Sequence, residues 1–211
     1  MKADPTCPRC GGDLHRPGIW SSAWTCDVHG GVHPLQPVVA PTVEGLRFVV
    51  ESSKVPVWLP WPLPRGWLVT GIAHCGDERT GARAVVIACS GPAPLGGSGE
   101  LVLVAEEPGI GLGARYAGLD GPDAGSLPDT AAHAKIHASG HPTAMWCIPV
   151  RDDRAVYVGE ALGCWLWSVT WPEGAGYLLH DDLVLTDLRS VGHELDVPMG
   201  ALSPRLRLGP G

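Results

Sequence analysis

The sequence predicts an α+β protein: a small metal-stapled module at the N-terminus, then a β-rich domain whose antiparallel sheet carries one or two covering helices. Three observations lead there. Two pairs of metal-ligand side chains stand near the start, Cys7-x-x-Cys10 and Cys26-x-x-His29, with fifteen residues between them. Strand-like runs outnumber helical runs and follow one another without intervening helices, which favours hairpins over βαβ units. The 29 Gly and 21 Pro of the 211 residues are spread along the chain and not repeated, the mark of turn-rich β structure. A β-sandwich is the alternative arrangement of the same strands.

The N-terminal module comes first. The two-residue gap between Cys7 and Cys10 lets one tight turn bring both sulfurs to the same side, with backbone amides facing them. Pro8 pre-sets a turn dihedral, and Gly11 and Gly12 admit positive φ just after it. The second pair repeats the design, with Gly30 and Gly31 after His29. Between them, Leu14 and then Ile19 to Thr25 read as short strands, with Trp20 and Trp24 on one face at period two. Cys7, Cys10, Cys26 and His29 are the expected ligands of one Zn²⁺. Three thiolates and one neutral imidazole leave no open position for water, and closed sites are structural. His33 is the rival for the fourth place, and His15 a weaker one. Four unmetallated side chains, or disulfides, are the bland alternatives. Met1 is followed by no apolar signal segment, so an oxidising compartment is unsupported.

The expected organisation is the metal module over residues 1–36, a Pro-rich linker over 37–44 and the α+β domain over 45–211. Pro34 to Pro41 carries three prolines in eight residues and reads as stiff and extended. Thr42 is an N-cap candidate for a short helix, because Val43, Leu46, Val49 and Val50 recur at helical spacing up to Ser52-Ser53. Val55 to Pro64 holds prolines at 56, 60, 62 and 64, which exclude a helix and a central strand. Its Trp58 and Trp61 therefore either present a docking segment or wrap a sheet edge. Strands follow at 67–74, 82–90 and 100–107. The stretch 109–128 is rich in Gly and Pro and irregular, with one helical turn near 114–117. Further strands are expected at 134–138, 144–150, 155–160, 164–170 and 177–179. Leu183, Val184, Leu188 and Val191 suggest a closing helix over 181–191.

Composition narrows function. Hydrophobic residues make up 45% and charged residues 18%, enough for a real core. Net charge is −7, the first forty residues are neutral with three basic and three acidic side chains, and no basic patch occurs. Nucleic-acid binding is thereby disfavoured. No apolar run reaches the roughly eighteen residues a membrane span needs. Cys75, Cys89, Cys147 and Cys164 read as buried free thiols of a reducing cytoplasm, with two disulfides as runner-up.

Other constellations are weaker. Gly109-x-Gly111-x-Gly113-Ala114 follows a strand, but a dinucleotide site needs a long helix next, and Gly118, Gly121 and Pro122 follow instead. His133, His137 and His141 share a strand face yet span too far for one ion. The acid pairs Asp77-Glu78, Glu106-Glu107, Asp152-Asp153 and Asp181-Asp182 point to opposite faces when extended, so none is a dyad by itself. Cys89 and Cys147 sit at apolar strand positions that favour inert thiols.

The segment Cys7 to His29 resembles a zinc ribbon, a family of small metal-stapled modules, over about the first thirty-five residues. As a whole the chain resembles a family of actinobacterial proteins, a domain of unknown function of similar length. The residues that carry this are Cys7-Pro-Arg-Cys10, Trp24-Thr-Cys26-Asp-Val-His29-Gly, Val55-Pro-Val-Trp-Leu-Pro-Trp-Pro, Gly113-Ala-Arg-Tyr-Ala-Gly and Leu183-Val-Leu-Thr-Asp-Leu. That resemblance implies a cytosolic zinc-ribbon protein and carries no activity with it. The expected function is a non-enzymatic protein-interaction or regulatory module in the cytoplasm, with another protein as partner. The alternatives are an enzyme using groups such as His74, Asp77, His137 or His180, and nucleic-acid binding through the ribbon.

Overall fold

The computed structural model describes residues 4–19, 21–127, 129–150, 153–180, 183–192 and 195–208. In chain order the strands are β1 (Trp24–Cys26), β2 (Gly30–Val32), β3 (Trp58–Pro60), β4 (Leu68–Asp77), β5 (Gly81–Pro92), β6 (Ser98–Glu106), β7 (Ala134–Ala138), β8 (His141–Ile148), β9 (Ala155–Ala161), β10 (Cys164–Trp171) and β11 (Val184–Asp187). Helix α1 (Val43–Ser52) lies between β2 and β3, and α2 (Leu112–Ala117) between β6 and β7. Strands β1 and β2 pair as a small hairpin, while the other nine form one sheet in the order β3-β11-β7-β8-β9-β10-β6-β5-β4. The fold is therefore mostly β, with one nine-stranded sheet in place of the two facing sheets of a sandwich. Every pairing is antiparallel except β11 with β7, which is parallel.

Alternation along the strands separates two cores. On β5, Val85, Ile87 and Cys89 join one apolar cluster, together with Trp58, Leu59, Leu103, Met145 and Leu166. Their sequence neighbours Ala84, Val86 and Ala88 join the other, with Val104, Val158, Trp167 and α2. Both faces of β5 are buried, which is why its sequence is a continuous apolar run without polar alternation. Helix α1 seats Leu46 and Val49 in the first core, and the Thr42 hydroxyl caps it by accepting the Gly45 N–H at 3.0 Å.

The Pro-rich stretch after the hairpin lies along the outer edge of β4. Leu35 and Val39 bridge to Cys75 and Ile72, Gln36 N–H donates to His74 C=O at 3.0 Å and Gly76 N–H to Pro34 C=O at 2.9 Å. Residues near 200 cover the rest of this edge, with Val69 N–H donating to Pro198 C=O at 2.9 Å and Gly200 N–H to Val69 C=O at 2.8 Å. An exposed edge strand is a template for unwanted pairing, and these segments occupy it.

Several elements differ from the sequence expectation. Val55 to Pro60 is buried throughout, and Trp58–Pro60 forms edge strand β3 against β11. Of the two indoles only Trp61 is partly open, so the segment wraps the sheet edge instead of presenting both. The helix expected over 181–191 is strand β11 followed by a 3-10 turn over Leu188–Ser190; Asp181 and Asp182 lie outside the described residues. Its apolar spacing fits both periods, and pairing with β3 and β7 on two sides decides for the strand. The buried Asp187 carboxylate fixes the corner. It accepts the Val57 N–H at 3.0 Å and the Arg189 N–H at 3.1 Å, and pairs with the Arg189 guanidinium at 2.7 Å. The strand expected at 177–179 is a 3-10 segment, Glu173–His180. The expected alternation of Trp20 with Trp24 involves a residue outside the described set.

Candidate metal centre

Each ligand pair is held by its own turn. Cys7 C=O accepts the Gly11 N–H at 2.8 Å, and Cys7 N–H reaches Gly12 C=O at 2.9 Å. Gly11 takes a φ of 73°, which favours glycine; a Cβ there would also lie 2.2 Å from an Arg115 guanidinium nitrogen. The second turn follows β1, with Gly30 at a φ of 68°. Hairpin pairing of Cys26 with Gly30 holds His29 against Cys26.

The four side chains converge. One donor atom from each of Cys7, Cys10, Cys26 and His29 lies within 4.8 Å of every other, and among the described residues no other group of three or more His, Cys, Asp or Glu does this. Cys7 Sγ stands 3.5 Å and Cys26 Sγ 3.6 Å from His29 Nδ1, and Cys10 Sγ 3.8 Å from Cys26 Sγ. A tetrahedron with metal–sulfur arms of about 2.3 Å and a metal–nitrogen arm of about 2.05 Å has sulfur–sulfur edges of about 3.8 Å and sulfur–nitrogen edges of about 3.6 Å. The observed separations match those edges, so donor set and spacing fit a four-coordinate metal. The two rivals stand elsewhere. His15 Nε2 faces Asp27 Oδ1 at 2.9 Å. His33 is half-buried, and burial followed by the nearby Arg83 lowers its pKa, against the pull of Glu107 and Asp77.

Electrostatics also ask for a cation. Burial pushes the Cys7 thiol up to about 11. Burial works the same way on Cys26, but the Val28 and His29 amides, His29 and Cys7 outweigh it and bring that thiol down to about 6. Cys7 and Cys26 are thus held in opposite directions, and a cation bound between them would favour the ionised form of both.

The hairpin is fastened to the rest of the chain at several points, among them a bond from the Arg79 guanidinium to Ser22 C=O. Arg9 of the first turn donates to the Gly109 and Ile110 carbonyls, the latter at 3.3 Å. Arg115 of α2 donates in return to Cys7 C=O at 3.2 Å. Trp24 Nε1 donates to Asp77 Oδ2 at 3.0 Å.

The other sequence candidates are scattered. His74 on β4 and His137 on β7 are separated by β8, β9, β10, β6 and β5 in the sheet order. Asp77 is engaged by Trp24 and Thr80, and His180 Nε2 meets Tyr157 Oη at 3.2 Å. Burial pushes Cys89 up to about 12 and raises Cys147 too, consistent with inert thiols. Of the acid pairs, Glu107 binds Arg83 at 2.7 Å, while Asp152, Asp181 and Asp182 lie outside the described residues.

The sequence reading placed Glu106 only in an acid pair and missed its role. Glu106 is fully buried, and its oxygens accept the Leu112 N–H at 2.8 Å and the Gly113 N–H at 3.0 Å. Its own carboxylate thus occupies the place that a phosphate takes in a dinucleotide-binding glycine loop. The glycine of Gly113 is required by packing, since a Cβ there would lie 2.2 Å from the Trp167 indole. The available signal was an acid ending a strand six residues before the helix start.

Among the described residues no helix is long and apolar enough to cross a membrane. Over residues 1–206 the chain matches a family of unknown function, DUF6758. No curated protein and no solved structure matches it.

Proposed function

The chain belongs to the DUF6758 family, and on that premise we propose that Cys7, Cys10, Cys26 and His29 hold one structural Zn²⁺ in a zinc-ribbon hairpin. The protein acts as a non-enzymatic interaction or regulatory module in the cytoplasm, and its partner is another protein. The observation that carries this is the donor set: four protein atoms at tetrahedral spacing leave no position for substrate or water. When bound, the ion supplies cross-linking and charge balance. The residues do the rest, orienting two turns and docking them through Arg9 and Arg115. A rigid hairpin also presents apolar side chains outward, with Val28 of the second turn 77% exposed and Ile19 96% exposed. None of the seven cysteines is in a disulfide, which suits a reducing compartment.

Elemental analysis of the purified chain tests the metal. We expect one zinc per chain, lost in a Cys7→Ser/Cys26→Ser variant. No zinc, with that variant as stable as the parent, overturns the reading. Changing His29 to Ala is expected to weaken retention more than changing His33 to Ala.

One observation favours the enzyme alternative: an open cleft of about 710 Å³ lined by His133, Lys135 and His180 among others. Turnover abolished by His180→Ala with zinc content unchanged would support it.

A further inference from the structure

The three sulfurs of the candidate metal centre differ in access. Cys7 is 0% and Cys26 3% exposed, whereas Cys10 is only half-buried. A cleft of about 240 Å³ opens beside it, between the first turn and the stretch after α2, and Cys10 and His29 are the metal-cluster residues on its wall. Arg9 and Arg115 also line it, with Asp120 the acidic side chain. The cleft admits a molecule the size of hydrogen peroxide and leads it to one sulfur. The buried Cys26 Sγ waits 3.8 Å behind. A disulfide bond is about 2.05 Å long, so the two sulfurs need to approach by less than 2 Å. Gly11 and Gly12 follow Cys10 directly and give its turn freedom to close that gap.

We propose that Cys10 is an oxidation site: a hydroperoxide entering this cleft drives formation of a Cys10–Cys26 disulfide, which dismantles the metal centre. The inference rests on the structural-zinc reading above. In the first step the Cys10 thiolate attacks a peroxide oxygen. A sulfur–oxygen bond forms, the oxygen–oxygen bond breaks, and hydroxide leaves. In the second, the Cys26 thiolate attacks the Cys10 sulfenic sulfur, forming the sulfur–sulfur bond and expelling a second hydroxide. The two sulfurs together lose two electrons and the peroxide gains them, and the hydroxides take protons from water. Cys7 and His29 then remain, too few donors to retain a four-coordinate ion. The other thiols do not compete for this outcome. Cys75, Cys89 and Cys164 are buried, and half-buried Cys147 faces Tyr157 across its strand pair, where no thiol stands opposite.

The test uses the full chain, purified reduced and assayed for zinc, then titrated with hydrogen peroxide beside a chromogenic zinc chelator and mapped by peptide mass spectrometry. We expect loss of one zinc per chain in step with loss of two hydrogen masses, and one cross-link joining the Cys10 and Cys26 peptides. A Cys10→His variant retains four donors and is expected to keep its zinc at the dose that empties the parent. Zinc that stays bound in the oxidised parent overturns the proposal. So does a cross-link between Cys7 and Cys26 that leaves Cys10 free. A reduced protein that contains and takes up no zinc overturns the metal reading itself, an outcome seen before any peroxide is added.

Discussion

Glu106 shows how much a single side chain can govern. Its carboxyl is pushed up to about 7, first by burial and further by Asp123, against the Leu112 and Gly113 amides and the adjacent Trp167 indole. A carboxyl that titrates higher folded than unfolded binds extra protons in the native state between its two pKa values. Stability from this group is therefore largest at low pH, falls as pH rises from about 4.5 towards 7, and is flat above. The full span corresponds to on the order of 3 kcal/mol. We expect denaturant melts at pH 5 and pH 7.5 to show a stability change that is more unfavourable with rising pH in the parent than in Glu106→Gln. Comparing parent with variant cancels the opposite trend from His33 and His74, whose lowered pKa values favour folding as pH rises. Equal pH slopes in the two proteins would refute the assignment. The Cys/His cluster was legible in the sequence because each pair is local, set by a two-residue turn. Glu106 was not, because reading it required knowing that the chain after β6 turns back onto its own carboxylate.

Among the elements, β3 carries the most instructive mismatch. Proline chemistry correctly excluded a central strand, and the edge position against β11 obeys that limit. What the proline pattern could not show was depth. Trp58 is 2% exposed and belongs to the core that also holds Leu59 and Leu185, whereas Trp61 is only half-buried. Truncating a buried Trp costs about 3–5 kcal/mol. Trp58→Ala is expected to show a loss of that size in chemical denaturation, and Trp61→Ala a clearly smaller one. Equal losses would mean that both indoles are core. Strand β11 was hidden for a related reason. Its local spacing fits helix and strand alike, and the choice is made by contacts distant in the chain, above all the bond from Val57 N–H to Asp187, 130 residues apart.

At the scale of the molecule the hairpin and the sheet hold one another by reciprocal arginines, 108 residues apart in the case of Arg115 and Cys7. Neither residue advertises this in sequence, where both are simply exposed-type cations. On the proposed zinc reading, a chelator is expected to release the hairpin while the sheet persists, since the sheet has two apolar cores of its own. Amide hydrogen exchange with and without a chelator checks this: protection should collapse over residues 6–35 and stay intact over β5, β6 and β10. Collapse of β5 protection along with the hairpin would show instead that the ion stabilises the whole fold.

The outer edge of β4 has a consequence for how the chain is made. Its second half is sealed by residues 34–39, synthesised before it, but Val69 and Thr70 in its first half wait for Pro198, Gly200 and Ser203. More than a hundred residues must be translated before those amides and carbonyls find their partners. A ribosome paused inside that interval therefore holds a nascent chain with an open strand template, the stage at which holdase chaperones have a strand to shield.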